Sequence, residues 1–85
     1  MTSVEEYMRL GRRAQKVVRK LLIRGVLPSP NSLKCFDCGV SAEVWEHRDY
    51  RLPDEVEPVC RRCNHARGRA LPNIYEPNAI QTGRV

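Results

Sequence analysis

Four cysteines carry the clearest chemistry in this 85-residue chain. Cys35 and Cys38 form one Cys-x-x-Cys pair, followed by Gly39, and Cys60 and Cys63 form a second. Two intervening residues let both sulfurs of a pair turn toward one point, and Gly39 permits the left-handed backbone such a turn often needs. The 21 residues from Gly39 to Val59 that separate the pairs lie close to the spacing of a four-cysteine site. Tetrahedral thiolate coordination suits Zn²⁺ better than harder cations, so the pattern predicts one structural zinc. A redox dithiol needs only one pair and a strand–helix context that neither pair has. An iron–sulfur centre shares the spacing and stays open on spacing alone.

Between and beside the pairs stand other polar groups of interest. Glu46 and His47 precede Arg48-Asp49-Tyr50, and Asn64 and His65 follow the second pair. Each has a structural reading. His47 can cap a hairpin or pair with Asp49, and Glu46 can pair with Arg48 or with an arginine of the second knuckle. His65 can stand outside the four ligands. Tyr50 and Trp45 can supply a small core. Arg61, Arg62, Arg67 and Arg69 crowd the second knuckle, where they suit phosphate contact or balance the charge of a zinc–thiolate centre.

These residues need elements to hold them. Residues 4–24 are predicted as one helix, because Tyr7, Leu10, Ala14, Val17, Val18, Leu21 and Leu22 recur at three- and four-residue steps. Ser3 and Glu6 fit a capping box, and Gly25, Pro28 and Pro30 stop the helix. Gly11 lies inside it and weakens it by about 1 kcal/mol relative to Ala. A hairpin is predicted over roughly 42–59, with Pro58 on an edge, and a short helix over about 61–69. The chain divides into a basic helix (1–27), a four-cysteine module (28–71) and an extended tail (72–85), partly disordered by expectation.

Charge is unevenly spread. The chain carries +5 formally, about +3 once four thiolates and one zinc ion are counted. Arg9, Arg12, Arg13, Lys16, Arg19, Lys20 and Arg24 lie on the first helix with only Glu5 and Glu6, while the rest of the chain holds eight basic and eight acidic residues. All the formal excess therefore belongs to one element, which predicts a phosphate-contacting face. A short chain with 6% aromatics cannot fill a large core, so a metal staple is expected. No apolar run is long enough for a membrane span. With no export signal, a reducing cytoplasm is the expectation, which disfavours disulfides.

The order Cys-x-x-Cys, Glu46-His47, Cys60-x-x-Cys63-Asn64 resembles the HNH module, also called ββα-metal or treble clef. Glu46-His47-Arg48-Asp49-Tyr50, with Leu52-Pro53-Asp54-Glu55-Val56 and Val59-Cys60, is similar to small phage-encoded zinc proteins often labelled HNH endonuclease or zinc finger. The resemblance covers about 18–70. It implies an α+β, zinc-stapled module behind a long basic helix. It also implies that His47 is a general base, with Glu46 and Asn64 at a catalytic Mg²⁺ or similar ion. Glu55 stands where the family's middle Asn falls, and only 12 residues lie between His47 and Cys60. For a phage-encoded chain the compartment would be the host cytoplasm.

The expected function is nucleic-acid binding, foremost double-stranded DNA, with metal-dependent cleavage as an added activity. The surface expected to do this comprises the seven helix cations with Arg61, Arg62 and Arg67. The alternative is a non-catalytic adaptor whose amphipathic helix docks on a host protein. The same helix could pair two copies into a homodimer.

Overall fold

The structure, a computed structural model, describes residues 2–74. It is α+β, in the order helix α1 (Val4–Ile23), a 3₁₀ turn (Pro30–Ser32), strands β1 (Val44–His47) and β2 (Val56–Val59), and helix α2 (Arg61–Arg67). Both helices and the hairpin lie within the predicted ranges. Residues 75–85, most of the predicted tail, lie outside the described residues.

α1 starts as its sequence dictates. The Ser3 hydroxyl accepts from the Glu6 amide at 3.1 Å, and Glu5 and Glu6 occupy the positive end of the helix dipole. It closes at Arg24, where Gly25 takes φ of 75° and the Val26 and Leu27 amides return to the Leu21 carbonyl. Tyr7, Ala14 and Val18 are buried on one side, with Leu10, Val17 and Leu21 half-buried beside them. Leu22, assigned to this stripe from its periodicity, is largely exposed.

Gly11 has a role beyond weakening the helix. A Cβ there would stand 3.1 Å from the Tyr50 ring, so the bare glycine is what lets Tyr50 lie against α1. Tyr50 in turn meets the Tyr7 ring at 5.2 Å and the His47 ring at 5.6 Å.

β1 and β2 pair antiparallel, with Val44 opposite Val59 and His47 opposite Val56. Pro58 donates no hydrogen bond, but its carbonyl accepts from the Phe36 amide at 2.7 Å, tying the first knuckle to the hairpin. The segment after α2 is more ordered than a loose tail. Leu71 pairs with Asp49, and its backbone bonds to Arg48 and Tyr50; Asn73 accepts from the Thr2 amide, and Ile74 pairs with Thr2. Residues 72–74 thus join the start of α1 to the module. At the other end the Trp45 indole donates to the Pro28 carbonyl at 3.1 Å. Val59 is the largest fully buried side chain, and it packs with Cys35 and Cys60. So small an apolar core sits around the sulfurs themselves.

Candidate metal centre

The fold delivers the cysteines from two local structures. The first pair sits on a tight knuckle: Lys34 pairs with Ser41, the Gly39 amide returns to the Cys35 carbonyl at 2.9 Å, and Gly39 adopts φ of 83°. The second pair sits on the first turn of α2, where Cys60 is the N-cap residue. Both thiols there sit at the N-terminal end of α2. The Glu43 carboxylate accepts from the Arg61 amide at 2.8 Å and fixes that end.

The four sulfurs lie within 4.8 Å of one another. A tetrahedron with Zn–S bonds of about 2.3 Å has edges of about 3.8 Å. Cys38 and Cys60, one from each pair, are 3.8 Å apart. That is far too long for a disulfide at about 2.05 Å. The donor set and spacing therefore suit a structural zinc. Electrostatics agree. Burial raises the Cys35 thiol, but backbone N–H groups of Cys60, Cys38 and Asp37 outweigh it and bring the pKa down to about 6. Hydrogen bonding to Cys60 and Cys38, with burial, pushes Cys63 up to about 12. Four crowded sulfurs cannot all ionise without a cation between them, and a dication supplies that charge.

A second assembly braces the centre. Arg67 closes a bidentate pair on Asp37, which lies between Cys35 and Cys38, at 2.6 and 2.7 Å. It also reaches Glu46 at 2.6 Å and Glu57 at 2.8 Å, and its guanidinium lies 5.9 Å from the Phe36 ring centre. One side chain thus ties knuckle, β1, β2 and α2 together. The Asp37 hydrogen bonds, with those from Glu46 and Glu57, hold Arg67 above the ordinary guanidinium range. Arg48 adds a further tie: it pairs with Glu46 at 2.6 Å and donates to the Gly68 carbonyl at the end of α2.

This assembly changes the standing of two sequence-selected residues. Both Glu46 oxygens are held by Arg48 and Arg67, so Glu46 is a buried ion-pair partner rather than an open metal ligand. Arg67 is 11% exposed and faces three carboxylates, so it is no open phosphate contact either. The sequence had offered the Glu46 pairings as an alternative. Asp37, Glu57 and Glu43 were missed, because their partners lie on other elements, 30, 10 and 18 residues along the chain.

His47 is buried, and it does not pair with Asp49, whose carboxylate takes Arg51. Its Nε2 meets the Pro53 carbonyl at 2.9 Å across the hairpin. Nε2 must therefore carry the proton, which leaves Nδ1 as a lone-pair acceptor. Nδ1 has no partner within the described residues. His47 and Asn64 border one cavity of about 460 Å³, with Glu46, His65 and Tyr50 also in its wall. The structure thus gathers the three residues proposed for catalysis around one hollow.

The six cations of α1 and Arg24 at its C-cap all fall on exposed positions. Among the described residues only Arg9 has a carboxylate partner, Glu6 at 3.1 Å. Arg61 and Arg62 are exposed on the first turn of α2. Compared with family models, curated proteins and solved structures, the chain matches none of them. What stands is a small α+β module whose four-cysteine cluster bridges a knuckle and a short helix.

Proposed function

We propose that this chain is a zinc-stapled, HNH-like protein that binds nucleic acid, with double-stranded DNA as its main ligand. One observation carries the reading. The side of α1 turned away from Tyr7, Ala14 and Val18 presents five cations that no described carboxylate neutralises, with Arg24 at the C-cap as a sixth. A solvated face evolved only for solubility gains from mixed signs, whereas counterion release rewards an uninterrupted cationic one. Arg61 and Arg62 extend the same chemistry to α2.

Titration of a labelled duplex at rising salt tests it. Five phosphate contacts predict a log–log slope of about −4.5. A flat salt response, or tight binding to a protein partner that salt leaves unchanged, overturns the reading in favour of an adaptor. Metal analysis should return one zinc per chain.

The Nε2–Pro53 hydrogen bond favours a second reading, hydrolysis of the bound strand. It turns the lone pair of the neutral ring to Nδ1, which is buried without a partner among the described residues, on a residue that shares a cavity wall with Asn64, so that proton transfer needs water to enter that wall. Glu46 does not serve as a metal ligand in this scheme, because its oxygens hold two arginines. Plasmid nicking with Mg²⁺ or Mn²⁺ that disappears in His47→Asn supports it. Equal nicking by both proteins, or none, removes His47 from catalysis.

A further inference from the structure

A groove runs along the flank of α1 beside Tyr50, with a volume of about 370 Å³. Its floor is apolar: Tyr7, Met8, the bare backbone at Gly11 and the ring of Tyr50. Its rim is cationic, with Arg12, Lys16 and Arg19, and no acidic residue lines it. These three cations recur at four and three residues, so they rise along the axis by about 6 Å and then about 4.5 Å. None has a carboxylate partner among the described residues.

The geometry points to this groove as a subsite for an unpaired nucleotide. This rests on the nucleic-acid reading above and deepens it. A ligand that fits must offer a flat apolar face to the half-buried Tyr50 ring and, a few ångströms away, negative charge to three cations. A nucleotide within a strand has both, and so does its neighbour one step along. A duplex on the outer cations alone hides its base faces in the stack and leaves the floor unused. The floor is built rather than incidental. Gly11 lets the Tyr50 ring close on the helix at a distance where even a methyl group would press it by a few tenths of an ångström, and the Tyr7 and His47 rings both pack against that ring. Tyr50 stays neutral, since burial, with Tyr7 nearby, raises its hydroxyl. Tyr7, Gln15 and Tyr50 also line the cavity of His47 and Asn64, so the two hollows adjoin.

The test uses the full zinc-loaded chain. A short single strand carrying one 2-aminopurine is titrated beside a blunt duplex of the same sequence, with Met8→Ala and Tyr50→Leu as variants. Stacking in the groove should change the 2-aminopurine fluorescence on binding. Tyr50→Leu should weaken the single strand roughly fivefold or more, Met8→Ala less, and both should leave the duplex unchanged. Circular dichroism checks the fold; if Tyr50→Leu fails to fold, the parent's 2-aminopurine signal and Met8→Ala decide. A duplex that binds with steep salt dependence beside a single strand that shows neither signal nor variant effect overturns the groove and spares the proposed function. Failure of both ligands overturns both. Binding to phosphatidylserine vesicles that the same variants abolish, with no oligonucleotide bound, assigns the groove to lipid and overturns the nucleotide.

Discussion

Arginine has opposite fates in the two halves of this molecule. In the cysteine module, Arg48, Arg51 and Arg67 each close on a carboxylate at 2.8 Å or less. In α1, only Arg9 has such a partner among the described residues. Those three are fasteners, whereas the cations of α1, like Arg61 and Arg62 at the start of α2, are open charges. The difference follows from what each region lacks. The module has almost no apolar interior, so ion pairs and hydrogen bonds hold it around a four-cysteine cluster suited to a metal. α1 has a complete apolar stripe, so its cations are free of structural duty. Net charge alone could not separate these roles, because tied and open arginines count equally in it.

The contrast can be broken from either side. The largest effect is expected on removing the metal. Structural zinc contributes on the order of 10 kcal/mol in small metal-dependent domains, so chelation or Cys60→Ser should unfold the hairpin and α2, seen as lost near-UV dichroism at Trp45. Next comes the clasp. Arg67→Met leaves the carboxylates of Asp37, Glu46 and Glu57 without their shared cation, and should cost about 3 kcal/mol in urea unfolding. Replacing Arg12, Lys16 and Arg19 together by Gln sharpens the comparison from the other side. Stability should move by no more than about 0.5 kcal/mol, while the salt slope for nucleic acid shrinks by about 2.7. The smallest effect is at Gly11→Ala. Helix propensity gains about 1 kcal/mol, but the new methyl presses a Tyr50 ring that Tyr7 and His47 keep from yielding, so melting should show a net loss of under about 1 kcal/mol.

The four-cysteine cluster and the elements were legible in the sequence because their signals are local. Cys-x-x-Cys spacing is a property of one turn, and the 3.6-residue period of α1 needs no partner to be seen. The clasp was not legible, since nothing near Arg67 distinguishes it from Arg61 or Arg62; only the fold brings Asp37 across to it. Gly11 read as a flaw for the same reason, as its use depends on a ring supplied by Tyr50. The short segment after α2 lacks periodicity, yet it is held by backbone bonds to Thr2, Arg48 and Tyr50, which any residue types can make. His47 stood out in the sequence, but its Pro53 partner is a carbonyl and leaves no trace in side-chain pattern.

α1 is moored at both ends, by Thr2 to Asn73 before it and by Pro28 to Trp45 after it. A helix pinned twice has a fixed phase about its own axis. Each residue added within it turns everything downstream by about 100°, so one insertion near Gln15 would swing Lys20 and Arg24 toward the protein while the moorings resist. The outward aim of the cations is therefore set by the length of the helix between its anchors as much as by the charges it carries.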